Sequence, residues 1–164
     1  MIVVGYSHRG KLNIRRVNPK IKINSKVYQE DILEPIYTKD IPNIYGNDKN
    51  KVFVHMDKAS SHTSKSTVNY LKMKQIETGI SFIPFSDIPT KSPDLSPMDF
   101  CGFGLLKQAL RTRKPTTLDG LWKTCQQCWQ EIPMDTLQKS LLSWKYRCRL
   151  VVESQGFHIE NKLH

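Results

Sequence analysis

Two aspartates stand where carboxylates could hold metal. Asp57 ends a short apolar run, Val52-Phe53-Val54-His55-Met56, and a polar turn from Lys58 to Thr63 follows it. Asp99 closes the segment Ser92-Pro93-Asp94-Leu95-Ser96-Pro97-Met98-Asp99, just ahead of a helical pattern. An acid at the C-terminal end of a buried strand and another at the start of a later helix can meet across a sheet edge. Carboxylate oxygens are hard donors suited to divalent cations, and cations held in that way cut and join phosphodiesters. Each residue also has a plainer reading. Asp57 could be a turn residue capping the next segment, and Asp99 a helix N-terminal acid favoured by the dipole. Asp94 is a rival ligand whose plainer role is to organise the turn. His62 is equally readable as a polar residue near a helix N-terminus.

The elements that must position these residues are legible in outline. Ile2-Val3-Val4 and Leu12 to Val17 flank the turn His8-Arg9-Gly10 and predict a β-hairpin. Asn24-Ser25 predicts a helix cap, and Val27, Tyr28, Ile32 and Leu33 recur at near-helical spacing until Pro35. Residues 36–50, with Pro42, Gly46 and Asn47-Asp48, read as loop. Val52 to Met56 is unbroken and apolar, which predicts a strand buried on both faces of a parallel sheet. A helix capped by Thr63 or Ser64 should run to about Lys74, and Gly79 should lead into a second buried strand, Ile80 to Ile83. Residues 85–97 read as Pro- and Ser-rich loop. Three helices should follow, over 98–111, 118–131 and 134–154. Their apolar faces are Leu105, Leu106 and Leu110; then Leu121, Trp122, Cys125 and Trp129; then Leu137, Leu141, Trp144 and Cys148. A hairpin, then strand–helix–strand, then helices is an α/β order.

The 164 residues suffice for one domain with a real core. The 25 basic and 15 acidic residues leave a net charge of +10, which suits a polyanion such as nucleic acid. No run approaches the ~20 apolar residues of a membrane span, and the apolar start Met1 to Val4 is broken too early for a signal peptide. Cys125-x-x-Cys128 lacks a second pair at zinc spacing, so Cys101, Cys125, Cys128 and Cys148 read as buried or half-buried reduced thiols.

The run His55-Met56-Asp57-Lys58-Ala59-Ser60-Ser61-His62, together with Ser92 to Asp99, resembles the catalytic motifs of Tc1/mariner-type transposases, on the mariner side. That family carries a strand leading into Asp-Asn-Ala-x-x-His, and later Ser-Pro-Asp-Leu-x-Pro-x-Asp/Glu. The resemblance extends upstream to Val3–Lys11 and Ile23–Tyr28, and downstream to Trp144–Arg149 and Gly156–Glu160. It implies a ribonuclease H-like α/β fold, a mixed sheet with helices on both faces, over residues 1–164 as one catalytic domain. It further implies metal-dependent DNA cleavage and strand transfer, with Asp57 and Asp99 as catalytic metal ligands and Mg²⁺ or Mn²⁺ as the cofactor. Two such ions sit about 4 Å apart, one activating the attacking oxygen and the other stabilising the leaving one. The implied partners are DNA, as transposon ends and target, and a second copy of the chain. The implied location is the nucleus, with no membrane association.

Two departures from the family pattern bear on activity. Lys58 replaces the usual Asn, placing a cation where it would compete with a metal. The family's first acid belongs on a strand ahead of the hairpin, whereas the upstream acids here, Glu30, Asp31, Glu34, Asp40 and Asp48, lie on a helical pattern or in loop. The expectation is that this acid and its central strand lie before Met1. The chain alone would then be inactive, and its sheet would be split with exposed apolar edges that favour aggregation or strand-exchanged dimers. The competing reading is a non-catalytic nucleic-acid-binding or dimerising transposon remnant.

Overall fold

The computed structural model describes residues 1–17, 21–90 and 92–163. The chain divides into two compact units, one of Met1–Val4 with Arg15–Thr90 and the other of Gly5–Ile14 with Lys91–His164.

In the first unit, β1 (Ile2–Val3) pairs antiparallel with β2 (Arg15–Arg16), Ile2 opposite Arg16 and Val3 opposite Arg15. The hairpin is thus present, but its ladder is shorter than the alternation suggested. Asn24 caps α1 (Ser25–Val27) by accepting the Val27 amide at 2.9 Å. The expected end of this helix at Pro35 is corrected by the structure. Helical backbone continues through π-helical turns at Tyr28–Leu33 and Ile36–Asp40, then α2 (Ile41–Tyr45) and a 3₁₀ stretch, Gly46–Lys51. A prolyl ring removes one amide and crowds the carbonyl four residues back in an α-helix. Here wide π-turns bracket Pro35, and Pro42 falls in the first turn of α2, where its missing amide costs little. Burial outweighs the breaker signal, since Ile32, Leu33, Ile36, Tyr37 and Ile41 all enter the core. Asp40 is buried with them, and its charge is met by the Arg15 guanidinium at 2.5 Å.

The next strand, β3 (Phe53–Val54), is followed by the short α3 (Ser60–Thr63) and by α4 (Lys65–Thr78). The Ser64 side chain caps α4 from the Thr67 amide, and Gly79 closes it at φ 76°, a left-handed conformation that suits glycine. β4 (Ser81–Phe82) then pairs parallel with β3, as the strand–helix–strand order requires. Burial of β3 on both faces is not found: Phe53 is 68% exposed, while Met56 and Ile80 point into the core. Among the described residues the two ladders remain separate two-stranded sheets.

The loop expected over 85–97 contains two 3₁₀ turns, Phe85–Asp87 and Pro93–Leu95; Lys91 lies outside the described residues.

In the second unit a π-helical turn, Met98–Gly102, leads into α5 (Phe103–Arg113). Then come α6 (Leu118–Glu131) and α7 (Met134–Glu153), close to the spans read from periodicity. Cys125, Cys128, Trp129, Leu106 and Leu137 form the core here. The four cysteines are free thiols; Cys148, expected on the inner face of α7, is exposed. The face that α7 buries centres on Leu137 and Ser140, while Leu142 (70%) and Val152 (78%) are exposed.

The hairpin tip belongs to this second unit and is fixed by polar contacts. The Lys11 ammonium donates to three carbonyls at the end of α6, those of Trp129 (2.7 Å), Gln130 (2.9 Å) and Ile132 (2.5 Å). A cation there satisfies acceptors that have no partner within the helix and complements the negative end of its dipole. The Trp129 indole in turn donates to the Leu12 carbonyl at 3.3 Å. The Tyr6 hydroxyl donates to the Pro97 carbonyl at 2.9 Å and meets Ser140 Oγ at 2.8 Å. No helix among the described residues is long and apolar enough to cross a membrane.

Replacing Lys11 with Met keeps the aliphatic stem but leaves those carbonyls without their donor. It should lower unfolding free energy by about 1–3 kcal/mol in urea titrations. Lys107→Met, at an exposed position on α5, should change it by less than about 0.5 kcal/mol.

Candidate functional site

Asp57 follows β3 by three residues, and backbone bonds of the parallel pair fix its position. The Ser81 amide donates to the Val52 carbonyl and the Ile83 amide to the Val54 carbonyl, each at 3.0 Å. Met56 anchors the segment in the core, so the next residue emerges at the surface with a 70% exposed side chain.

The carboxylate is held from one side. Its Oδ1 lies 2.5 Å from His62 Nδ1 and accepts the Ala59 amide at 3.3 Å. His62 Nδ1 also lies 3.2 Å from the Asp57 backbone oxygen. The imidazole stacks on the Tyr28 ring, with centroids 3.9 Å apart and planes 21° from parallel. Tyr28 is buried, and its hydroxyl meets Met56 Sδ at 3.4 Å. The His62 hydrogen bond, foremost, holds the Asp57 carboxyl below its usual range despite some desolvation, with help from the Ala59 amide and the field of His55. Burial, reinforced by the Asp57 charge, pushes the Tyr28 phenol up. Asp57 is therefore a charged oxygen donor facing solvent, the chemistry a hard divalent cation takes.

Asp99 sits in the first π-helical turn after Pro97, with its amide donating to the Ser96 carbonyl at 2.9 Å. It is exposed, and among the described residues its carboxylate makes no hydrogen bond or ion pair. It too is available as an oxygen donor. Asp57 lies in the first unit and Asp99 in the second. Among the described residues no group of three His, Cys, Asp or Glu side chains gathers as a metal site would require.

Asp94 does something different from either. It is 6% exposed and accepts the Ile159 amide at 2.9 Å, with His158 Nδ1 at 3.3 Å. Desolvation would raise its carboxyl, but the Ile159 amide and His158 outweigh that and hold it below the usual range. Arg147 completes the clamp: it donates to the Asp94 carbonyl at 3.2 Å, pairs with Glu160 at 3.1 Å and lies 3.9 Å over the Phe100 ring. Asp94 thus fastens the segment 158–160 to the 3₁₀ turn Pro93–Leu95. Sequence reasoning placed it at the turn and missed that partner. The signal was only the presence of both segments in the family resemblance, with no spacing to join them.

Other groups went unnoticed in the sequence. Lys74 is buried against Glu34 (2.7 Å) and Glu77 (2.9 Å), and the Tyr70 hydroxyl also donates to Glu34. Thr67, fully buried, donates to the Ser61 carbonyl at 2.7 Å and so braces the turn that carries His62. Neither has a periodicity that would single it out.

No protein-family model matches the chain. It is 28% identical over 158 residues to the transposable element Tc3 transposase of Caenorhabditis elegans, covering 95% of this chain and 44% of the relative. It is 26% identical over 145 residues to the Tcb2 transposase of Caenorhabditis briggsae, covering 88% and 48%. The chain thus spans about half the length of the curated relatives it matches. The fold superposes on the catalytic domain of Mos1 mariner transposase with a TM-score of 0.79 at 18% identity, covering 97% of this chain and 75% of that one. The same TM-score and identity hold for that domain with raltegravir and Mn, with 76% of that chain covered. For the Mos1 paired-end complex with left transposon end the TM-score is 0.77 at 18% identity, covering 97% of this chain and 44% of that one. The architecture is therefore the ribonuclease H-like α/β fold of that domain.

Asp94→Ala should release the C-terminal segment. Amide exchange at Ile159 should accelerate, and stability at neutral pH should fall by about 1–3 kcal/mol. A carboxyl depressed in the folded state contributes fully above its unfolded value of about 3.9 and loses that contribution as pH falls through the lower folded value. The wild-type and Asp94→Ala stability curves should therefore converge below about pH 4.

Proposed function

We infer that this relative of the Tc1/mariner transposases is a portion of a transposase catalytic domain, with residues 1–164 belonging to that one domain, whose Asp57 and Asp99 are metal-ligating carboxylates. The observation that carries the reading is Asp57 itself. It is an ionised, solvent-facing carboxylate beyond the end of a parallel strand, in a chain whose relatives are transposases and whose fold is that of a transposase catalytic domain.

Mg²⁺ or Mn²⁺ is the cofactor in this reading. Both assigned side chains offer exposed carboxylate oxygens, and the Mos1 catalytic domain has been solved with raltegravir and Mn or Mg. Bound divalent metal supplies charge stabilisation for phosphodiester cleavage and strand transfer. This chain's own residues hold and orient the donor oxygens. His62 and the Ala59 amide keep Asp57 charged and turned outward, while the turn after Pro97 presents Asp99. Lys58, beside Asp57, adds a positive charge that weakens cation binding and strengthens attraction to phosphate.

The partners in this reading are DNA and a second copy of the chain, and the place of action is the nucleus. Support for DNA comes from the net charge of +10 and from the Mos1 complexes with transposon ends. The described residues gather no third ligand beside either aspartate. A metal held by two carboxylates is under-coordinated, and we propose that the chain by itself binds DNA without cutting it. This observation also favours the second reading, a non-catalytic nucleic-acid-binding or dimerising remnant.

Purified chain should bind duplex DNA in fluorescence anisotropy, with log affinity falling linearly against log salt concentration. Supercoiled plasmid should remain intact in Mg²⁺ or Mn²⁺. Salt-independent binding would contradict the phosphate-driven interface. Robust Mn²⁺-dependent nicking abolished by Asp57→Ala would show that the chain is a complete nuclease.

A further inference from the structure

The two contacts on the Asp57 carboxylate fall on one of its oxygens. His62 and the Ala59 amide both engage Oδ1, and among the described residues nothing engages Oδ2. The imidazole cannot easily follow a moving carboxylate. Its side chain is only 13% exposed, it is stacked on buried Tyr28, and the same Nδ1 faces the Asp57 backbone oxygen. Two oxygens facing one ring nitrogen require the hydrogen on Nδ1, because an unprotonated Nδ1 would set lone pair against lone pair. The stack therefore fixes the ring plane, and the two Asp57 oxygens fix the tautomer.

We propose that His62, clamped by Tyr28, is a positioning residue that occupies Oδ1 of Asp57 and leaves Oδ2 as the single oxygen offered to a divalent cation. This rests on the reading of Asp57 as a metal ligand and adds the geometry in which it binds. A carboxylate free to rotate can present both oxygens to a large, geometrically tolerant cation; one held at Oδ1 presents one. Outer hydrogen-bond partners of this kind orient a ligand and raise its affinity, and their loss costs about 10–100-fold in metal binding. Tyr28 acts one step further out. Its ring provides the stack, and its hydroxyl touches only Met56 Sδ among the contacts seen, so phenylalanine should serve equally well.

The test uses the full chain and Mn²⁺ as the probe. Nitrogen-15 NMR of the metal-free protein should show His62 as the Nδ1–H tautomer with a downfield Nδ1 proton. Asp57→Asn should lose that downfield signal. Mn²⁺ titration followed by electron paramagnetic resonance should give an affinity weakened about 10–100-fold in His62→Ala. It should be weakened similarly in Tyr28→Leu and unchanged in Tyr28→Phe. Circular dichroism identifies any variant that fails to fold, and the tautomer measurement needs no variant.

An Nε2–H tautomer in the wild type overturns the proposal. So does a folded His62→Ala that binds Mn²⁺ like wild type while Asp57→Asn does not bind it, and that result spares Asp57 as a ligand. If Asp57→Asn binds Mn²⁺ as wild type does, or the wild type binds none, the metal-site reading fails, and the proposal with it.

Discussion

Backbone hydrogen bonds between the β3 and β4 segments fix the point at which Asp57 leaves the sheet. They hold the segment around Val52–Val54 in register with residues 81–83 and thereby set the height at which Asp57 leaves the sheet. A ladder of two residues a side is weak alone, since isolated two-stranded pairings are marginal in water. Its persistence depends on what packs against it: Met56 and Ile80 below, and α4, whose Leu71 is wholly buried. The ends of α4 are set with care, by Ser64 at one end and left-handed Gly79 at the other. Ser64 also joins a short hydroxyl chain to Ser25 and Thr67, which ties the helix start to α1 and to the Ser61 carbonyl. The carboxylate is therefore positioned by a strand pair and a helix cap together.

The same economy shows in the second unit. Lys11 and Tyr6, on a turn of a few residues, satisfy acceptors at the end of α6 and before α5, and Asp94 draws the last segment onto the turn that precedes Asp99. None of these links is a large apolar contact. Each is a polar side chain placed on a backbone group that secondary structure leaves unpaired, and a buried unpaired group costs more than the bond itself contributes. Helices with modest apolar faces can be located in this way without a deep core.

Much of this was legible in the sequence. The hairpin, the Asn24 cap, the parallel pair flanking a helix, and the spans of α6 and α7 follow from alternation, caps and 3.6-residue periodicity. Two failures have physical causes. Pro35 read as a helix end and Pro42 as part of a loop because proline is costly in an α-helix, yet π-turns and a first-turn position removed the cost while Tyr37 and Ile41 gained burial. Phe53 read as buried because five apolar residues in a row suggest two covered faces. The pairing present covers Val54 better than Phe53, and sequence periodicity cannot tell which neighbours a strand has. At the site, Asp57 and Asp99 stood out through motif context. The contacts that make Asp57 a fixed donor were not visible, because a ring stack between residues 28 and 62 follows no local spacing.

We propose that Asp57 and Asp99 are the carboxylates this chain offers to a divalent cation. Paramagnetic broadening of backbone amide signals by substoichiometric Mn²⁺ tests it most directly, because it maps the bound ion without requiring any reaction. The account predicts that signals of residues 56–62 and 98–101 are lost first, while those near the surface pairs Asp48–Lys51 and Asp135–Lys139 persist. Broadening spread evenly over the surface carboxylates, or sparing the amides around Asp57, would contradict it.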